Sequence, residues 1–209
     1  PDVLSGLCIF KANRRRSIYD SHQGAGKSAY ATKIICRSYN MGKPNIIYED
    51  NDIIVCYKPA GMATQTRRIG QQDMESFIRN YRAAKNEPPY VGIVHRLDQP
   101  VEGVMVFAKN QNAAASLSRQ IKEHTTEKYY YAASYGNGSG SNTSLKVHTL
   151  TDYILFDKRT NTSKITTAKD PQAKKAVLEY EIVKAKHNGN KEITVFNIKL
   201  LTGRHHQIR

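Results

Sequence analysis

The chain has 209 residues, 39% of them hydrophobic, and 32 Lys and Arg against 18 Asp and Glu give it a formal net charge of +14. That length suits one large domain or two small ones, and the charge favours a polyanionic partner whose phosphates it can neutralise. No run approaches the ~20 apolar residues of a spanning helix, and three widely spaced cysteines (Cys8, Cys36, Cys56) argue against a disulfide framework or zinc site.

Residues 1–44 read as a basic leader, poorly ordered or accessory, with eight basic residues against two acids. Its apolar run, residues 3–10, is short and is followed rather than preceded by its basic residues, so it is a poor secretory signal. Arg14-Arg15-Arg16 suits a nucleic-acid arm, although a solvated leader explains it as well. Gly24-Ala25-Gly26-Lys27-Ser28 resembles a phosphate loop, but that loop needs a glycine where Ser21 stands and a strand leading in. No nucleotide cofactor is expected.

Order begins at Asn45. Residues 46–48 and 53–57 flank a polar turn and predict a hairpin, ended by Lys58-Pro59-Ala60-Gly61. Asp73 can cap a helix whose Met74, Phe77, Ile78 and Tyr81 form one apolar stripe. Short strands are expected at 91–94 and 104–108, then a helix with Ala114, Leu117 and Ile121 on one face. Residues 128–135 form a tyrosine-rich strand, and 136–144 a Gly/Ser/Asn/Thr loop. Weaker strands at 145–156 and 165–168 precede longer ones at 176–184 and 192–201, joined through Asn188-Gly189. The expected class is α+β, with a mainly antiparallel, twisted sheet and flanking helices.

The chemistry concentrates in Gly92-Ile93-Val94-His95-Arg96-Leu97-Asp98-Gln99-Pro100. In an extended backbone, side chains two apart share a face, so Arg96 and Asp98 can point into one cleft. A lone carboxylate with a guanidinium in reach suits a nucleophile or base. The pair also suits a surface salt bridge at a strand end, and this segment alone does not choose. His205 and His206 are adjacent, so they diverge along the backbone and no metal site is expected.

Four motifs occur in order: His95-Arg96-Leu97-Asp98; Gly103 through Phe107-Ala108-Lys109; Lys128-Tyr129-Tyr130-Tyr131-Ala132; and Thr202-Gly203-Arg204-His205-His206-Gln207-Ile208-Arg209. Together they resemble the RluA family of RNA pseudouridine synthases, over residues 45–209. The resemblance implies isomerisation of uridine to pseudouridine in ribosomal or transfer RNA, without metal or cofactor. It implies that Asp98 attacks or deprotonates the nucleoside and that Arg96 fills the space of the flipped-out base. Tyr130 is implied to stack on the uracil and take part in proton transfer, and Arg209 to pair with Asp98. Arg96, Arg204, His95 and Lys58 are the expected RNA-binding side chains, the last three also being suited to structural work. A cytoplasmic monomer is the simplest expectation.

Two departures stand out. After Asp98 the family's usual basic residue and Thr-Ser pair are replaced by Gln99-Pro100-Val101-Glu102, a stiffer and more acidic loop. The family domain also normally continues beyond the position of Arg209, so the catalytic domain, 45–209, is expected to be C-terminally incomplete. A non-catalytic RNA-binding module that keeps the synthase fold is the rival expectation.

Overall fold

The computed structural model describes residues 3–12, 43–135, 146–188 and 191–209. The arginines at 14–16, the glycine-rich segment 24–28 and the loop 136–144 lie outside them. The elements are β1 (Val3–Ala12), β2 (Asn45–Glu49), β3 (Ile53–Lys58), α1 (Met74–Ala84), β4 (Gly92–Ile93), β5 (Glu102–Ala108), α2 (Gln111–Lys122), β6 (Thr126–Tyr135), β7 (His148–Asp157), β8 (Thr162–Thr166), β9 (Lys174–Asn188) and β10 (Lys191–Leu200). This is a mixed α+β fold with antiparallel pairing. Among the described residues, no helix is long and apolar enough to cross a membrane. Two compact units result: Ile9–Thr126, and Pro1–Cys8 with Glu127–Arg209.

In the Ile9–Thr126 unit, β2 and β3 form the expected hairpin. Its turn closes because the Asp50 carboxylate accepts the backbone N–H groups of Asp52 and Ile53, both at 2.8 Å. β5 is paired by β3 (Ile53↔Ala108 to Lys58↔Gly103) and by β4 (Gly92↔Ala108, Ile93↔Phe107). Met105, Val106, Phe107 and Ala108 are all apolar and buried, and α2 packs against this strand.

Helix α1 starts where the sequence places it. Asp73 accepts the Ser76 N–H at 2.8 Å while the Ser76 hydroxyl accepts the Asp73 N–H at 3.0 Å, a reciprocal cap. Met74 and Ile78 of the expected stripe are buried, and Phe77 and Tyr81 are partly so. Arg82 is buried as well, donating to the carbonyls of Tyr90 and Lys109 and pairing with Glu87. Nearby, Lys109 and Lys85 bond Glu49 at 2.7 Å each and hold its carboxyl down to about 2.

In the other unit the strands run β6-β10-β9-β7-β8, each antiparallel to the next. Ala132, Leu178 and Ile198 form its core, with Tyr130, Tyr180, Phe196, Leu200 and Ile208 packed on it. The β9–β10 hairpin pairs Asn188 with Lys191; Gly189 of the expected Asn188-Gly189 turn lies outside the described residues. Three further differences from the sequence reading are plain. β4 shrinks to two residues, β8 starts earlier than 165, and β1 forms within the leader.

Candidate active site

Asp98 sits just after β4, on a loop held from three sides. The first hold is His95. Antiparallel register would next pair Val94 with Val106, but β4 ends at Ile93. The His95 ring instead accepts the Val106 N–H on Nε2 at 3.1 Å, replacing the missing ladder bond. The second hold is Thr64, whose hydroxyl accepts the Leu97 N–H at 3.2 Å and donates to the Leu97 carbonyl at 2.9 Å. The third is Gln99. Its carbonyl accepts the Gly61 N–H at 2.8 Å, and its side-chain amide donates to the Gly61 carbonyl at 2.9 Å. Positive φ at Gly61 (84°) lets the segment after β3, a strap of residues 59–64, turn back to meet it.

Within this loop burial alternates around Leu97. Leu97 is 5% exposed, while Arg96 is exposed and Asp98 half-buried. Arg96 and Asp98 flank the buried leucine in the chain. The Val101 N–H bonds the Asp98 carbonyl at 3.0 Å, closing a turn just beyond the acid.

Lys58 corrects an expectation. The sequence offers it as an RNA contact, yet it is fully buried, and its ammonium donates to the carbonyls of Met62 (2.6 Å), Pro59 (3.1 Å) and Gln99 (3.2 Å). Its stem ends β3, and three carbonyls from the two loops converge on the head group. Burial pushes this lysine down to about 8, and the charges of Asp98 and Glu102 oppose that fall. Lys58 thus supports the acid's loop from beneath. Glu102, one of the departures from the family pattern, accepts a bond from the Tyr57 hydroxyl at 2.8 Å. His95 is likewise engaged by the protein backbone, through the Val106 N–H.

The Glu127–Arg209 part carries the other candidates. In β6 the tyrosines alternate as expected. Tyr129 bonds Glu127 at 3.1 Å on one side, whereas Tyr130, opposite Ile198, packs on the Ala132–Leu178–Ile198 core. Ile208 joins the same core, so the terminal motif and the tyrosine strand share one cluster. Gln207 locks that motif: its Oε1 accepts from the Thr202 hydroxyl and the Arg204 N–H, both at 2.9 Å, and its Nε2 donates to the Val177 carbonyl at 3.1 Å. Arg204 donates from Nε to the Lys175 carbonyl at 2.8 Å, which fixes the turn to β9. Arg209 is exposed, with one guanidinium nitrogen 3.3 Å from His206 Nε2.

The structure thus gathers Lys58, His95, Arg96 and Asp98 in one unit, and Tyr130, Arg204 and Arg209 in the other. Sequence reasoning missed Thr64, Thr202 and Gln207. Only Thr202 and Gln207 carried a signal, as positions within the terminal motif.

Residues 52–209 match the family model described as RNA pseudouridylate synthase. The chain is 31% identical over 169 residues to YhcT of Bacillus subtilis (strain 168), named an uncharacterised RNA pseudouridine synthase, covering 80% of this chain and 53% of that protein. It is 34% identical over 171 residues to the ribosomal large subunit pseudouridine synthase D of Vibrio cholerae, covering 79% and 47%. Among solved structures, human RNA pseudouridylate synthase domain containing 1 superposes with a TM-score of 0.61 at 22% identity, covering 83% of this chain and 65% of that one. That last likeness is one of fold. The chain spans about half the length of the curated relatives it matches.

Proposed function

The chain belongs to the RNA pseudouridylate synthase family, and we propose that it isomerises specific uridines to pseudouridine in ribosomal or transfer RNA, with Asp98 as the catalytic carboxylate. In this reaction the N1–C1′ bond breaks and a C5–C1′ bond forms. The C5 proton goes to solvent and N1 takes one up. Composition is unchanged, so the chemistry calls for no redox group or phosphate donor.

The observation that carries the reading is the clamped, half-buried Asp98, with Leu97 anchored inward and Arg96 turned out beside it. A carboxylate that must meet a base swung out of its stack needs a fixed position more than it needs reach. On this reading Arg96 takes the space the uracil leaves, while the stacking role of Tyr130 and the pairing role of Arg209 are what the family resemblance implies. The +14 charge supports an RNA partner, and the name of the Vibrio cholerae relative, a ribosomal large subunit synthase, favours large-subunit ribosomal RNA.

The test is nucleoside analysis of cellular RNA after incubation with the wild type and with Asp98→Asn. New pseudouridine from the wild type alone supports the proposal. Equal RNA binding by both proteins with no conversion by either would favour a binding module that keeps the fold.

A further inference from the structure

Between the strap that holds Asp98 and helix α1 lies a loop, residues 65–72, that the reaction scheme does not use. Its base is pinned. The Met74 N–H bonds the Ala63 carbonyl at 3.0 Å and the Glu75 N–H bonds the Thr64 carbonyl at 3.2 Å. The Thr66 N–H donates to Asp73 Oδ2 at 2.6 Å, and the Gln65 amide to Glu75 at 2.6 Å. Asp73 is buried and also caps α1, so one carboxylate fixes both the helix start and the loop base. Further out, the Arg68 N–H bonds the Thr66 hydroxyl at 3.1 Å, and Gly70 turns the chain with φ of 79°.

The tip carries Arg67, Arg68, Ile69 and Gly70, all exposed. Among the described residues no acid forms a salt bridge with either guanidinium. Asp73 is taken up by backbone N–H groups, and Glu75 by Arg79 and Gln65. Ile69 is 103% exposed, so its side chain touches nothing in the protein. An isolated exposed isoleucine is ordinary. One held at the tip of a pinned loop beside two arginines is arranged for contact with something anionic that also offers an apolar face. RNA has both, in its phosphates and the planes of unstacked bases.

We propose that this loop is an RNA-contacting arm: Arg67 and Arg68 neutralise phosphates near the target uridine, and Ile69 packs against a base left unstacked by flipping. The arm is rooted in the same strap as Thr64, which bonds the residue next to Asp98, so arm and acid move together. The substrate class rests on the proposed function; the contact itself is tested separately.

The experiment measures binding of a fluorescein-labelled stem-loop transcript, with uridines in its loop, across a salt series. The proteins are the wild type, Arg67→Gln/Arg68→Gln, Ile69→Ser and a control, Lys158→Gln/Arg159→Gln, which removes two exposed charges at the β7–β8 turn. The arm double variant should lower the slope of log K against log salt by about 1.5, and the control should leave it near the wild-type value. Ile69→Ser should weaken binding several-fold at unchanged slope, and Ile69→Leu should restore it. An unchanged slope in the arm variant, or an equal drop in the control, overturns the phosphate contact. Unchanged affinity in Ile69→Ser overturns the base contact. Conversion by the wild type is scored in parallel. Absent conversion with an arm-dependent slope defeats the catalytic reading alone, and conversion with an indifferent arm defeats this inference alone.

Discussion

The Thr64 hydroxyl bonds Leu97 twice, accepting from its N–H and donating to its carbonyl, and so acts as a one-residue substitute for a neighbouring strand beside Asp98. Thr64 is 3% exposed and Leu97 5%, so the Leu97 groups have little water to fall back on. Thr64→Val keeps the shape and removes both bonds. It should cost about 1–3 kcal/mol of stability in urea denaturation and lower turnover, while Thr64→Ser keeps both. Equal activity in the valine variant would show that the acid's loop is held adequately without this residue.

Thr64 also shows where sequence legibility ends. The β2–β3 hairpin, the Asp73 cap and the tyrosine alternation of β6 were readable because each rests on local chemistry: turn residues, a capping box, a period of two. Thr64 reaches Leu97 and Lys58 reaches Gln99, both distant in sequence, and nothing in the linear pattern says that the Gln99 carbonyl will join those of Pro59 and Met62 on one ammonium. A lysine beside Pro-Ala-Gly reads as surface charge. β4 read too long because His95 takes over the ladder by side chain, which periodicity does not register. β1 was hidden because a short apolar run near a basic segment carries no strand punctuation.

Lys58 makes stability depend on pH in a stated direction. Its folded value, about 8, lies below the ordinary 10.5 because burial disfavours the ammonium. Between those values the unfolded chain holds a proton that the folded chain has released, so this group's contribution to stability rises with pH across the window. Below about pH 8 the burial penalty is present in full. Urea denaturation of wild type and Lys58→Met across that range should show the wild type gaining on the variant as pH rises. Parallel curves would contradict the assignment. The variant should also lose roughly 10–100-fold in turnover through a displaced Asp98 loop.

Gly92 lies where β4 meets β5 and α2. A Cβ there would stand 2.9 Å from the Ala108 Cβ and 3.0 Å from the Ala114 Cβ, closer than packed carbons sit. Gly92→Ala should therefore destabilise the protein by about 1–3 kcal/mol through overpacking. An unchanged denaturation midpoint would mean that α2 yields freely.

Tyr130 packs its ring on the core of its unit, so truncating it confuses packing with chemistry. Tyr130→Phe separates the two. The ring stays, the melting temperature should stay with it, and turnover should fall about 10²-fold if the hydroxyl takes part in proton transfer. Undiminished turnover would leave Tyr130 as a stacking and core residue.

Isomerisation at C5 expels the hydrogen bonded there, so release of tritium from RNA labelled at uracil C5 reads the proposed chemistry itself. The wild type should release tritium into water, and Asp98→Asn should release none while binding the same RNA with similar affinity. Tritium release by Asp98→Asn at the wild-type rate would contradict the account.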